Sequence, residues 1–363
     1  METEKSLLGD FYKGRRVFIT GHTGFKGSWL SLWLLKLGAV VKGYALEPPT
    51  EPSLFDILGL EGKLEHIIAD VQDAERLSSE LTSFNPDIVF HLAAQPLVRD
   101  SYDNPVLTYQ TNLLGTINIL EAVRDLRKKA SVVIITTDKC YENKGKGYSY
   151  RETDPLGGYD PYSASKACAE IATTSYRRSF FNPKGFGSSH SIALSSARAG
   201  NVIGGGDWAK DRLLPDCFRA FEKGQVVVLR NPDAVRPWQH VFEPLFGYLF
   251  LAMKDFLEDG VYSSAWNFGP FPNSVWRVED IVRYVIERWG SGSYNVSPES
   301  EKHEADYLAL DIDKAVSVLK WSPKLDVERA LDFTVDWYKA YFGGVDMYNF
   351  SVNQIDEYER LLG

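Results

Sequence analysis

The sequence predicts an α/β protein built on a doubly wound parallel sheet, and two observations predict it. Short β-branched runs alternate with helical patterns from residue 16 to about residue 200, and a glycine-punctuated turn joins the first run to the first helix. Arg16-Val-Phe-Ile-Thr20 reads as a buried strand, Ser28 to Leu37 as a helix stopped by Gly38, and Ala39 to Ala45 as a second strand. Further strands are predicted at Ile67–Asp70, Asp87–Leu92, Val132–Thr136 and Ser191–Ser195. Helices are predicted between them at Ala74–Phe84, Val106–Lys128 and Tyr162–Phe180, an order that calls for right-handed crossovers.

From Asn201 the pattern loosens. Gly204 to Gly206, Pro215, Pro232, Pro237, Pro270 and Pro272 punctuate shorter elements, with helices expected over Val278–Trp289, Ile312–Leu319 and Val327–Tyr341. This predicts a smaller mixed α/β domain, with a segment near Gln239 to Leu257 returning to the sheet. The expected division is 1–200 plus about 232–262 for the first domain, and 201–231 plus 263–363 for the second.

A length of 363 residues fits two domains at roughly 150 residues each. The balance of 40 Lys and Arg against 49 Asp and Glu gives 40 − 49 = −9, which argues against nucleic acid or an anionic membrane as the main partner. A local basic pocket for a small phosphorylated ligand stays open. The 44% hydrophobic fraction is enough to build a core. Cys140, Cys168 and Cys217 are odd in number and lack CxxC spacing, so neither a disulfide framework nor a zinc site is expected, and the compartment reads as the cytosol. Met1 to Lys13 carries Glu2, Glu4, Lys5 and Asp10 and does not read as a signal peptide. The apolar stretch Trp29 to Leu37 is too short to span a bilayer.

The chemistry starts at Gly21-His22-Thr23-Gly24-Phe25-Lys26-Gly27. Glycines after a strand allow a tight turn and close backbone approach to a pyrophosphate, and the helix that follows offers free N–H groups and a positive dipole end. The spacing is GxxGxxG, and the loop reads as a dinucleotide-binding Rossmann turn in which Gly21, Thr23, Gly24, Phe25, Lys26 and Gly27 meet the cofactor. The acidic residue usual at the end of the second strand is missing: Tyr44 stands there, with Glu47 just beyond. No arginine is placed for a 2′-phosphate and Lys42 is the only cation nearby, so NAD is favoured over NADP by default.

Tyr162-Ser163-Ala164-Ser165-Lys166 places a phenol and an ammonium on one helical face, where the cation can lower the tyrosine pKa and make a base. Thr137 ends a strand upstream. The combination of GxxGxxG, a strand-terminal Thr and YxxxK resembles the extended short-chain dehydrogenase/reductase family. His91-Leu-Ala-Ala-Gln95, Thr136-Thr-Asp-Lys-Cys-Tyr141, Arg198-Ala-Gly-Asn201 with Gly204 to Trp208, and Arg236-Pro-Trp-Gln-His240 narrow the resemblance to the CDP-D-glucose 4,6-dehydratases, over nearly the whole chain from Val17 to about Pro323.

The resemblance implies an NAD-dependent, redox-neutral reaction on CDP-glucose: oxidation at C4, loss of water across C5 and C6, and return of the hydride to C6. Tyr162 would take the C4 hydroxyl proton, Lys166 would lower its pKa and bind the nicotinamide ribose, and Thr137 would hydrogen-bond the reacting oxygen. Asp138 would protonate the departing C6 hydroxyl. Lys139 stands where dTDP-glucose dehydratases carry a glutamate base. It then acts either as the C5 base in a neutral, desolvated form or as an electrostatic stabiliser of the enolate. Leu92, Ala93 and Ala94 would flank the cofactor's pyrophosphate and ribose, Asp70 its adenine, and Thr111 with Asn112 the nicotinamide side. Asn201 and Arg236, then Arg212 and His303, are the candidates for the substrate diphosphate. Gln95 and Arg99 are candidates for the hexose, and Trp208 for packing near a base or sugar. Helices 106–128 and 162–180 are candidates for a symmetric four-helix homodimer or dimer of dimers. Two rivals remain: a sugar-nucleotide 4-epimerase, which needs the same Thr, Tyr and Lys but no Asp138-Lys139, and a non-catalytic dinucleotide sensor, which needs no phenolate base.

Overall fold

Seven parallel strands form the central sheet of the computed structural model, which describes residues 3–145, 147–271, 274–297 and 308–363. They are β1 (Arg16–Thr20), β2 (Val40–Ala45), β3 (Glu65–Ile68), β4 (Ile88–His91), β5 (Ala130–Ile135), β6 (Ile192–Ala199) and β7 (Ala265–Phe268). Their spatial order is β7-β6-β5-β4-β1-β2-β3, and every neighbouring pair is parallel. The strands are apolar on both faces because both are covered. Val17 and Ile19 of β1 pack into one core with Trp29 and Trp33, while Phe18 between them packs into the other with Tyr44, Leu77 and Ile119. The covering helices include α1 (Glu4–Tyr12), α2 (Phe25–Lys36), α3 (Ala74–Phe84), α4 (Gly115–Arg124) and α5 (Pro161–Ser179).

Strand order reverses between β1 and β4. A crevice therefore opens at the carboxyl ends of these two strands, where a ligand binds in such sheets. The loops Gly21–Gly24 and Leu92–Gln95 and the turn after β5 all meet there.

The returning segment is α6 (Phe242–Leu257), an almost wholly buried helix packed against β5 and β6. It hands the chain to β7, so the sheet gains a strand from beyond residue 262. Helices α7 (Val278–Trp289) and α8 (Val327–Phe342) follow as the apolar spacing predicts. The helix expected over Ile312–Leu319 is instead mostly a π-helical turn, Ala315–Leu319. That expected over Val106–Lys128 is interrupted by a second π turn, Gln110–Leu114, between Pro105–Tyr109 and α4. α1 and the last helix, α9 (Met347–Glu359), carry no strong apolar period. α9 docks on α2 and α6, where Glu359 accepts from Trp33 Nε1 (2.9 Å) and Lys36 Nζ (2.8 Å), and Tyr358 donates to Glu243 (2.8 Å).

Candidate active site

Local sequence builds the glycine loop. Gly21 has φ +77°, and a side chain there would strike the Ala93 backbone within 2.9 Å; at Gly27 a Cβ would lie 2.1 Å from the Gly21 carbonyl. At Gly24 only the Gly21 carbonyl comes near, at 3.5 Å. Gly24 caps α2 with no side-chain acceptor, so the first turn's N–H groups face the crevice uncapped. These features fit the diphosphate of a dinucleotide. Thr23 is turned inward and donates to the Leu46 carbonyl (2.9 Å), and Phe25 packs beneath Gly204.

Tyr44, at the usual acidic position, is buried and donates to the Asp70 carbonyl at 2.9 Å. Asp70 accepts from the Gln72 amide (2.9 Å), and Gln72 reaches Thr111 (3.4 Å), so the β3 loop is tied to the π turn. Lys42 is buried between Glu65 (2.8 Å) and Glu80 (2.6 Å), pinned to the sheet edge rather than offered to a ribose phosphate. Leu92 and Ala93 dock on the end of β1, through Thr20 O (3.0 Å) and Thr20 Oγ1 (3.3 Å), and Ala94 follows in the same loop.

The side chain of Gln95 is used internally, donating to Leu97 O (3.1 Å) and Thr108 (3.2 Å). Buried Asn112 holds the backbone of Gln95 (2.8 and 3.1 Å) and donates to Ser165 on α5 (2.8 Å). The π turn thus wedges Asn112 between the cofactor loop and the helix of Tyr162, a use typical of π bulges at functional sites.

Asp160 caps α5 through Ser163 N (2.9 Å) and Ser163 Oγ (2.7 Å), with Pro161 in the first turn, and so fixes Tyr162 one residue into the helix. Burial pushes the Tyr162 phenol up to about 12, against the Thr137 hydroxyl and the Arg212 charge, both of which favour the phenolate. Burial likewise brings the Lys166 ammonium down to about 8, and Lys166 donates to the Ile135 carbonyl at 3.3 Å.

Thr137 donates to Asp138 Oδ1 (3.0 Å) and accepts from the Lys139 amide (3.3 Å), capping the turn Asp138–Cys140. Asp138 is 4% exposed; burial raises its pKa, opposed by Lys139, the Thr137 hydroxyl, Lys26 and Arg236. Lys139 is half-buried. Lys26, expected at the cofactor, also lies within electrostatic reach of Asp138, Lys166 and Arg212, and burial lowers it to about 8.

Sequence reasoning missed Glu170. It sits one turn beyond Lys166, fully buried, accepting from Thr136 (2.5 Å), Ser196 (2.8 Å) and Arg198 (2.7 Å). Its i+4 relation to Lys166 on the buried stripe was the available signal.

Toward the substrate side, Arg212 pairs with Asp207 at 2.8 Å, and Arg99 converges with Arg230 on Asp211 (3.7 and 3.3 Å). Arg230 was not anticipated, although it opens the run that leads to Arg236. Half-buried Arg236 faces Asp138 electrostatically, and half-buried Asn201 follows Gly200. His303 lies outside the described residues. Trp208 does not reach a ligand position: it is buried against Tyr338, Tyr341 and Phe342. The glycines before it serve close packing rather than flexibility, since side chains at Gly204 and Gly205 would strike Val241 and Trp337. Cys168 is half-buried, and no cluster of metal-ligating side chains occurs among the described residues.

The fold and this crevice define a Rossmann protein of the short-chain dehydrogenase/reductase type. The chain belongs to the family described as GDP-mannose 4,6 dehydratase, whose model matches residues 18–334. It is 51% identical to the CDP-glucose 4,6-dehydratase of Salmonella typhimurium, over 96% of this chain and 97% of that one. Among solved structures it resembles the dTDP-glucose 4,6-dehydratase of Streptomyces venezuelae with NAD and TYD bound (TM-score 0.75, 23% identity, 91% of this chain and 98% of that one). It also resembles the UDP-glucose 4-epimerase of Thermotoga maritima with UDP-glucose (TM-score 0.75, 21% identity, 90% and 99%). Fold alone therefore does not separate dehydration from epimerisation.

Proposed function

We propose that the protein is an NAD-dependent CDP-glucose 4,6-dehydratase, a hydro-lyase forming CDP-4-keto-6-deoxyglucose and water. The observation that carries the choice over an epimerase is Asp138. A buried carboxyl whose pKa is raised, hydrogen-bonded to Thr137 beside Tyr162, is a proton donor that elimination needs and epimerisation does not. The 51% relative supports the CDP-sugar.

In this reading Gly21, Thr23, Gly24, Phe25, Lys26 and Gly27 hold the cofactor's diphosphate side, with Asp70, Leu92, Ala93, Ala94 and Thr111 along the rest of its length. NAD, when bound, would accept the hydride from C4 and, once water is lost, return it to C6 as a proton returns to C5, so that the overall conversion is redox-neutral. Tyr162 takes the C4 hydroxyl proton, Lys166 orients the ribose, and Thr137 holds the C4 oxygen. The C4 ketone acidifies C5–H, which Lys139 removes or whose enolate it stabilises. Asp138 protonates the leaving C6 hydroxyl. Asn201, Arg212, Arg236 and Arg99 take the diphosphate and hexose, joined by Arg230. The two-domain division expected at 1–200 plus about 232–262 belongs to this proposal with β7 (Ala265–Phe268) added to the first part, the dinucleotide on that part and the sugar nucleotide on the second.

A homodimer through 106–128 and 162–180 is supported by exposed Val106, Leu107, Leu114 and Ile171 on those helices, and a monomeric mass at micromolar concentration would defeat it. No helix among the described residues is long and apolar enough to cross a membrane. A cytosolic role in deoxysugar synthesis for surface polysaccharide fits three unpaired cysteines.

Mass spectrometry of the protein incubated with NAD and CDP-, UDP-, dTDP- or GDP-sugars tests the reading. The expected product is lighter by one water and arises from CDP-glucose alone. An epimerised sugar of unchanged mass would overturn it.

A further inference from the structure

We propose that Gly200 is a positioning residue for the acid of the elimination step, its missing side chain setting where the second oxygen of Asp138 sits. The inference rests on the dehydratase reading above.

The carboxyl of Asp138 is held from two sides. Thr137 donates to Oδ1 at 3.0 Å. Oδ2 lies against the backbone of Gly200, just past the end of β6, and a Cβ built on Gly200 would stand 2.7 Å from it. That is closer than a carbon and a carboxyl oxygen approach without one of them moving. The reason for glycine here is space and not conformation, because Gly200 is not among the positive-φ residues and alanine adopts its backbone. The surface against which Oδ2 rests is also rigid. Two residues earlier Arg198 is locked to Glu170 at 2.7 Å, with both side chains buried, and β6 is hydrogen-bonded on both edges.

The consequence is selective. At Gly205 an added methyl would collide with the indole of Trp337 in the core, and the fold would give way. At Gly200 the colliding atom is the free end of one side chain, so the Asp138 carboxyl yields instead. The displacement falls on proton transfer to the C6 oxygen, while Tyr162 and Lys166 are held on α5 and Thr137, though it gives up its bond to Oδ1, stays fixed for the C4 step as the cap of the Lys139 amide.

Gly200→Ala is the test, with CDP-glucose and NAD, following reduced nicotinamide by absorbance and the dehydrated sugar by quenched-flow mass spectrometry. The melting temperature and first-turnover formation of reduced nicotinamide should match wild type. Loss of water should slow by about a hundredfold, the usual cost of a catalytic group misplaced by an ångström. In an Asp138→Asn background the same change should add nothing. Unchanged elimination in Gly200→Ala would overturn the proposal, as would an equal loss in the Asp138→Asn background or an equal loss of C4 oxidation. Asp138→Glu reaches the same place from the other side and covers the case in which Gly200→Ala does not fold. It keeps the acid but has no room for the extra methylene, so it should oxidise and fail to eliminate; full elimination would overturn the proposal. A wild-type protein that removes water from none of the sugar nucleotides would instead overturn the dehydratase reading.

Discussion

The guanidinium of Arg198 meets the carboxylate of Glu170 at 2.7 Å with both side chains sealed from water. Burial alone would raise the Glu170 pKa, but the Arg198 charge and hydrogen bonds from Arg198, Thr136 and Ser196 outweigh it and hold the carboxyl below its ordinary value. The pair ties the end of β5, which carries Thr137 and Asp138, to β6 and to the helix of Tyr162 and Lys166. Glu170→Gln would leave Arg198 charged and unpaired in the core. A loss of about 3–5 kcal/mol in denaturant unfolding is expected, far more than for an exposed ion pair. A loss below about 1 kcal/mol would show that the pair does not secure these elements.

Tyr162 and Asp138 serve different halves of the proposed reaction, and their variants should stop at different points. Tyr162→Phe removes the base and should cut formation of reduced nicotinamide by about 100- to 10,000-fold with NAD still bound. Asp138→Asn should form reduced nicotinamide at the normal rate and accumulate the ketosugar. Single-turnover absorbance distinguishes the two, and identical behaviour would mean that the acid and the base were wrongly assigned.

Lys139 adjoins Asp138 in the turn after β5. Lys139→Ala and Lys139→Glu should leave the dissociation constant for NAD unchanged and suppress exchange of the C5 proton with solvent deuterium. Exchange at the wild-type rate in both variants would remove Lys139 from the C5 step.

Glu243 offers a stability test. Burial pushes its carboxyl up to about 7, although it accepts from Lys324 N (2.9 Å), Leu325 N (2.7 Å) and Tyr358 (2.8 Å). A carboxyl raised on folding takes up protons as the chain folds, so its contribution is greatest below the ordinary carboxyl value and is lost as pH rises through about 7. Glu243→Gln cannot titrate. The stability of wild type relative to this variant should rise by up to about 3 kcal/mol as pH falls from about 8 to about 5. A pH-independent difference would show that Glu243 is not buried as a titrating acid.

Much of this was legible in the residues. The runs at β1, β4 and β5 are apolar on both faces, so their period and their glycine and proline boundaries placed them within a few residues. The extents of Ala74–Phe84 and Val278–Trp289 are those predicted, because each carries a clean apolar stripe. Tyr162 and Lys166 were singled out because their i, i+4 spacing puts them on one helical face, whereas Asp138 was named only through the family resemblance. What could not be read depends on contacts between distant segments. Trp208 looks like a ligand platform in sequence, yet its partners lie more than a hundred residues away on α8. Glu170 looks like any helical glutamate until Arg198 arrives from β6. The π turn at Gln110–Leu114 has no compositional mark, since it exists to aim Asn112 at Gln95 and Ser165.

The docking of α9 on α2 bears on how the molecule comes into being. Trp33 is buried with its indole nitrogen on Glu359 and its ring against Tyr358 (5.6 Å), so the helix that opens the nucleotide half is sealed by residues made more than three hundred positions later. During synthesis that helix emerges early with its outer face bare, and the ribosome must deliver more than three hundred further residues before the covering helix exists. The half of the molecule translated first is the half completed last, and until then Trp33 is a surface on which a nascent-chain chaperone can act.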